Sequence, residues 1–183
     1  MQTEQERENQ QGMQQYLAGI EGRAFRIAQI ATGNREDALD LIQETMMKLV
    51  RNYSGRSSEE WTPLFYSILQ SRIRDWHRHQ SVRNRFRSWL PWHEEDEEDA
   101  LEQFPADRTS EPVPQLEGHQ FMANLDCELR ALPYRQQQAF LLRVWEGMDI
   151  TQTAAAMQCS ESSVKTHHAR ALQKLRSQLE DFR

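Results

Sequence analysis

LPYRQQQAFLLRVWEGMDITQTAAAMQCSESSVKTHHARALQKL, Leu132 to Leu175, is the stretch whose reading decides the fold. Ile150 and Thr151 lead into a short Ala-rich segment, Ala154 to Met157, and Gln158, Cys159 and Ser160 follow as a tight turn. A second helix starts near Glu161, with Ser160 as its N-cap, because the serine hydroxyl accepts from a free N–H of the first turn. Val164, His168, Ala171, Leu172, Leu175 and Leu179 recur at helical spacing and form one buried side. Ser162, Ser163, Lys165, Thr166, His167 and Arg170 are left for the other faces. A buried stripe behind short donors and cations is the pattern of a helix-turn-helix recognition helix. The plainer alternative is a helical hairpin with a solvated face. Upstream, Leu132-Pro133 opens a helix whose apolar face is Phe140, Leu141, Val144 and Trp145, and Gly147 ends it as a left-handed cap.

Working outward, Phe121, Leu125, Leu129 and Leu132 give one more amphipathic helix in a C-terminal domain that starts at about Leu116. Before it, Trp89 to Glu117 breaks the pattern at Pro91, Pro105, Pro112 and Pro114. Residues 94–111 hold nine acids and one arginine, Arg108. A stretch of about thirty residues without a packing pattern exceeds an ordinary loop. We read it as a flexible acidic linker over residues 91–115, joining domains 1–90 and 116–183 that tumble semi-independently.

In the N-terminal part, Met1 to Gln11 is polar and expected to fray. A helix is predicted from Met13 to Ala31, on Tyr16, Ile20, Phe25, Ile27 and Ile30, with Gly19 and Gly22 offering close helix contact. Gly33-Asn34 is a turn, and Asn34 caps a helix from Arg35 to Tyr53. Its stripe is Ala38, Leu41, Ile42, Thr45, Met46, Leu49 and Val50. Asp37, Asp40, Gln43, Glu44 and Met47 lie outside that stripe, either as a solvated acidic face or as a docking surface for a basic partner. Ser54 to Glu60 reads as a loop, and Thr62 with Pro63 as the start of a helix to His79. Leu64, Phe65, Ile68, Leu69, Ile73 and Trp76 are its core candidates. Six arginines and one acid, Asp75, fall between Arg72 and Arg87. Cations among aromatics suit single-stranded nucleic acid, where bases stack and phosphates pair with arginine; a merely solubilising basic face is the alternative.

The 183 residues carry a formal charge of −6, a balance that hides a basic surface and an acidic tether. Cys127 and Cys159 form no CxxC and point to a reducing compartment. The polar N-terminus lacks the pattern of a signal peptide, and no run approaches the ~20 apolar residues of a membrane span. The chain is therefore expected in the cytoplasm. Sparse glycine and proline, and β-branched residues that do not alternate, predict an all-α fold of two small domains, the C-terminal one a helix-turn-helix. Catalysis finds no support. The six histidines make no HExxH, Cys159 with His167 is too small a set for a metal site, and there is no glycine-rich phosphate loop. No cofactor or metal is expected.

Three blocks together resemble the extracytoplasmic-function (ECF) sigma factors, small members of the bacterial sigma-70 family. GNREDALDLIQETMMKLVRNY, Gly33 to Tyr53, resembles region 2.2 of that family. WTPLFYSILQSRIRDWHRH, Trp61 to His79, resembles regions 2.3 and 2.4. Leu132 to Arg176 resembles region 4. The resemblance implies a non-enzymatic initiation factor for core RNA polymerase. Asp37, Asp40, Gln43 and Glu44 would meet the clamp helices of the β′ subunit. Arg72, Arg74, Asp75, Trp76, Arg78 and His79 would melt and read the −10 element. Ser162, Ser163, Lys165, Thr166, His167 and Arg170 would read duplex −35 DNA, with region 4 resting on the β flap. Many relatives are held inactive by an anti-sigma factor, a partner that no residue of this chain indicates.

Two departures stand out. Ser71 replaces a usual asparagine, and the common VKSRLHRA run is Val164-Lys-Thr-His-His-Ala-Arg-Ala171. His167 removes a permanent cation, and His168 puts a polar ring where leucine is usual, which makes −35 affinity open to pH. A stand-alone helix-turn-helix regulator, or a helical adaptor without a DNA role, remain the other readings of the residues alone.

Overall fold

The computed structural model describes residues 2–87 and 117–180, and every element among them is a helix. The linker read at 91–115 lies outside the described residues. Three helices make the N-terminal half: α1 (Gln2–Thr32), α2 (Arg35–Tyr53) and α3 (Ser58–Arg87). The C-terminal half has α4 (Glu117–Arg130), α5 (Tyr134–Phe140) continued by a π-helical turn (Leu141–Trp145), α6 (Ile150–Met157) and α7 (Glu161–Glu180).

The first helix begins eleven residues earlier than Met13, at Gln2. Its opening turns are rich in Gln and Glu, straight-chain residues that lose little rotamer freedom in a helix. Asn9 also ties them down, its Nδ2 donating to the Ser54 carbonyl at 3.2 Å. Gly19 and Gly22 face open space and mediate no close contact. That role falls to Gly12, where a Cβ would lie 3.5 Å from the Trp61 ring. Tyr16 completes the seam, 5.6 Å from Trp61 and 6.4 Å from Phe65, centroid to centroid.

Gly33, at φ +68, turns the chain, and the Asn34 side chain accepts from the N–H groups of Glu36 and Asp37 to start α2. Ala38, Leu41, Ile42, Thr45 and Leu49 are buried as the spacing predicts, whereas Val50 is exposed. Thr45 is accommodated because its hydroxyl donates to the Leu41 carbonyl at 2.7 Å. Helix α3 starts before the expected Thr62-Pro63. Glu60 reaches back to accept from the Ser57 N–H and hydroxyl, both at 3.3 Å, half of a capping box that extends the helix to Ser58. Pro63 then sits in the second turn, where it forgoes one bond to the solvent-exposed Glu59. The helix also runs past His79 to Arg87.

In the C-terminal half, Pro133 is the N-cap of α5, and Gly147 takes the left-handed conformation expected of it. Between them the ladder widens: the Glu146 N–H donates to the Leu141 carbonyl at 3.1 Å, five residues back. That extra residue per turn rotates the apolar face. Leu141 and Leu142 are buried, and Val144, expected inside, is 54% exposed. Asp149 and Gln152 form a full capping box that starts α6. Gln158, at φ 54, ends α6, and the Arg135 guanidinium donates to the Met157 carbonyl at 2.7 Å. Ser160 caps α7, its Oγ accepting from the Ser163 N–H at 3.1 Å. Val164, Ala171 and Leu175 are buried on α7, while Leu172 faces out.

The two halves touch each other. Helix α6 packs along α3, and α4 meets α1. Arg26 of α1 pairs with Asp126 of α4. The Tyr134 hydroxyl donates to the Gln70 carbonyl at 3.3 Å, and the Tyr134 ring lies 4.8 Å from His77. Periodicity shows which face of a helix is buried but not which neighbour covers it, so this contact is invisible in the sequence.

Candidate polymerase and nucleic-acid interfaces

Three surfaces gather the candidate residues. On α2, the Asn34 cap sets Glu36 and Asp37 in the first turn, where the helix dipole favours acids. Asp40, Gln43 and Glu44 are exposed and adjacent on the helix, and Asp37 is half-buried. Exposed apolar side chains accompany them: Leu39, Val50 and, at 58%, Met47. The face is therefore mixed, acidic and apolar, rather than a purely solvated charge face. Sequence reasoning missed Leu39 and put Val50 inside. An exposed apolar residue beside acids is a signal only once burial is known.

Helix α3 divides its candidates. Arg72 is half-buried and reaches across to α2, its Nε 3.5 Å from the Glu44 carboxylate. One residue assigned to DNA and one assigned to polymerase are thus paired with each other. Trp76 is half-buried, its ring 5.0 Å from that of His77 and edge-on to it. Arg74 and Asp75 are half-buried beside Tyr134, close enough to act on its phenol. Arg78 and His79 are exposed. At 100° per residue, Arg74 and Arg78 lie on one flank and Trp76 on another, so the six do not form a single plane.

His77, absent from the candidate set, is the residue most changed by its surroundings. Burial pulls its imidazole from 6.5 down to about 4, so it is neutral near pH 7. Burial likewise pushes the Tyr134 phenol up. His77 is thus a packing ring, while the charged groups that remain available at this end of α3 are Arg74, Arg78 and their neighbours. The contact with Tyr134 spans more than fifty residues of sequence, and no local signal announces it.

Helix α7 keeps its candidates together. Ser162, Lys165, Thr166 and Arg170 are all exposed, and Ser163 and His167 are half-buried. The spacing of 162, 166 and 170 puts a line of donors along one face. Ser160 Oγ lies 2.8 Å from both Ser162 Oγ and Ser163 Oγ, a hydroxyl cluster at the helix start. Thr166 donates to the Ser162 carbonyl at 3.0 Å. Glu161 is held by the Thr151 hydroxyl at 2.8 Å, which ties α6 to the tip of α7. His168 is half-buried, and burial first, then the Arg143 charge, hold it below the usual histidine range. It behaves as a neutral filler in the place of leucine. Among the described residues, no three His, Cys, Asp or Glu side chains gather to hold a metal, and no helix is long and apolar enough to cross a membrane.

The Sigma-70 region 2 family matches residues 13–83, α1 through most of α3, and the Sigma-70, region 4 family matches residues 122–175. The ECF RNA polymerase sigma factor SigX of Bacillus subtilis (strain 168) is 31% identical over 148 residues, which cover 79% of this chain and 71% of SigX. An RNA polymerase sigma-E factor of Streptomyces antibioticus is 30% identical over 145 residues, with the same two coverages. Among solved structures, the sigma factor RpoE of Bartonella quintana, in complex with the anti-sigma factor NepR, superposes with a TM-score of 0.66. That likeness covers 93% of this chain and 98% of the other at 19% identity, and speaks for the fold alone. With both sigma regions in order and such relatives along most of its length, the chain belongs to the ECF family of RNA polymerase sigma factors, proteins that bind core RNA polymerase and recognise promoters.

Proposed function

We propose that the two halves divide the promoter between them: the N-terminal half opens and reads the −10 element, and the C-terminal half reads duplex −35 DNA. The observation that carries this reading is the difference between α3 and α7. The α3 end mixes aromatic rings with arginines, Trp76 among Arg72, Arg74 and Arg78, together with Asp75 and His79. Unstacked bases bind rings and cations of that kind. The α7 face offers Ser162, Ser163, Lys165, Thr166, His167 and Arg170 without a Trp, Tyr or Phe among them, which suits base edges and phosphates in a major groove. Helix α2 docks on the β′ clamp helices through Asp37, Asp40, Gln43 and Glu44, and the C-terminal half rests on the β flap. The protein acts in the cytoplasm with core polymerase. We extend to it an anti-sigma factor as regulator, the kind of partner that the Bartonella quintana protein has.

The test compares two double variants on duplex and premelted templates at matched salt. Arg74→Ala/Arg78→Ala should retain closed complexes and lose opening, read by permanganate footprinting and run-off transcription. Lys165→Ala/Arg170→Ala should weaken closed-complex formation. Each lost phosphate contact should lower the salt slope by about one, and each lost base contact should cost roughly 1–3 kcal/mol at one position. A premelted −10 bubble should rescue the first variant far more than the second. Equal rescue of both, or no defect in either, would refute this division of labour.

A further inference from the structure

The carboxylate at the tip of α7 is outside the set of residues assigned to DNA. Glu161 opens the helix and is exposed, as are Ser162, Lys165 and Thr166 beside it. At 3.6 residues per turn it stands only about 40° from Lys165 around the helix axis. It is also held in place: Glu161 Oε1 accepts from the Thr151 hydroxyl of α6 at 2.8 Å. Both ends of this bond lie on capped first turns. The Asp149–Gln152 capping box fixes the start of α6, and Ser160 fixes the start of α7 by accepting from the Ser163 N–H at 3.1 Å. The Thr151 bond takes up one of the roughly four acceptor positions of a carboxylate. The ion pairs among the described residues do not include Glu161, so its charge stands beside a neutral hydroxyl.

An acid in this place works against duplex binding. It repels phosphates, and it offsets part of the charge of Lys165, one turn away. The helix dipole favours an acid in the first turn, but that effect requires no fixed direction, and Thr151 gives this carboxylate one. The first residues of a recognition helix are the ones that meet base edges in the major groove. There, guanine presents the acceptors N7 and O6, thymine presents O4 and a methyl group, and adenine sets its N6 amino group beside the N7 acceptor. Cytosine presents the N4 amino donor without an acceptor next to it. A carboxylate accepts and cannot donate, so cytosine attracts it while guanine and thymine repel it. Between residues 161 and 170, Glu161 is the only acid. The hydroxyls of Ser162 and Thr166 both donate and accept, and Lys165 and Arg170 serve phosphates or guanine.

We infer that Glu161 is a specificity-determining residue that reads a cytosine amino group in the −35 duplex, and that Thr151 is the positioning residue that aims it. This inference rests on the −35 reading of α7 and deepens it. The contact selects sequence at the expense of general affinity: without the carboxylate, repulsion falls for every duplex and preference is lost at one base pair.

The test uses holoenzyme reconstituted from the full chain and core polymerase, at matched salt. A randomised duplex library is selected by binding and sequenced, and anisotropy then compares all four base pairs at each −35 position. Wild type should prefer C over G and T by about tenfold at one position. Glu161→Gln keeps the acceptor for Thr151 and adds an amide donor, so it should move the preference at that position to A, whose N6 and N7 an amide meets bidentately. Glu161→Ala should bind the four base pairs there within about twofold of one another, and the disfavoured ones tighter than wild type does. Thr151→Val should lower the C preference severalfold, Thr151→Ser should restore it, and the other −35 positions should be read as before. Base preference is the deciding readout, because a merely structural role would change affinity for all sequences alike. No position at which wild type prefers C, or base preferences in both Glu161 variants that match wild type, overturn the inference. Lys165→Ala/Arg170→Ala tests the reading beneath it. Wild-type binding of the selected duplexes by that variant removes α7 as the −35 reader, and the role of Glu161 falls with it. Weakened binding in that variant, with unaltered preferences in the Glu161 variants, overturns the role of Glu161 alone. Thr151 and Glu161 are both exposed, so each variant should keep the circular dichroism of wild type. Glu161→Gln, which preserves length and acceptor, decides the matter if Glu161→Ala fails to fold.

Discussion

His77 links the protein's chemistry to its packing at the level of one side chain. Half-buried beside Trp76 and Tyr134, it has a folded-state pKa near 4 against an ordinary 6.5. The folded-state value is the lower one, so the unfolded chain takes up the proton first as pH falls. Stability contributed by the neutral ring is complete above about 6.5 and is lost progressively between there and about 4. By about pH 5.5 the loss should reach roughly 1–2 kcal/mol. His77→Phe keeps a ring in place and removes the proton. Urea unfolding at neutral pH and at about pH 5.5 should show a smaller acid-induced loss in the variant than in wild type, by that amount. Equal losses would mean that the ring is more hydrated than its burial implies. His168 shifts in the same direction by the same cause.

Among the elements, α2 presents its proposed docking face most openly. It is capped, regularly striped and exposed along the face that holds Asp40, Gln43 and Glu44. Asp40→Lys/Glu44→Lys should weaken binding to core polymerase about tenfold at physiological salt, as expected for a rim of charges beside apolar anchors. Far-ultraviolet circular dichroism should be unchanged, because both side chains are exposed. Undiminished affinity would remove this face from the polymerase interface. The pairing of Glu44 with Arg72 adds a second expectation: the same variant frees Arg72 of its anion and should alter opening as well as docking. How far each helix was legible depended on where its signals lay. Asn34, Ser160 and Gly147 act as the local chemistry predicts. The start of α3 was missed although Ser57 and Glu60 stood at capping-box spacing, because Thr62-Pro63 offered a competing start. The exposure of Val144 was not legible at all, since a π turn shifts the register without changing composition.

For the molecule as a whole, charge sets the association with DNA. The chain carries −6 overall, while residues 94–111, with nine acids and one arginine, carry −8 of that. Neutralising the segment would leave the remainder at +2. Replacing its nine acids by glutamine and asparagine should tighten non-specific duplex binding by about tenfold at low ionic strength, and the gain should vanish in high salt. Anisotropy titrations across a salt series measure it. A salt-independent gain would point to a change in fold rather than in field.

The sequence by itself determined the helical class and the order of the two sigma regions. Helical periodicity, caps and charge blocks are local properties, readable within a turn or two. It also separated the outward Ser162, Lys165, Thr166 and Arg170 of α7 from Val164, Ala171 and Leu175 behind them, because that division depends on one helix and one turn. Only the tertiary structure decided that Arg72 is engaged by Glu44, that His77 is a neutral packing ring, and that the Glu146 side chain is buried close enough to Tyr16 and Tyr66 to act on their phenols. Each of these follows from a neighbour far away in the chain. Desolvation and pairing act through space, so the charge state and availability of a side chain are settled only when the helices meet.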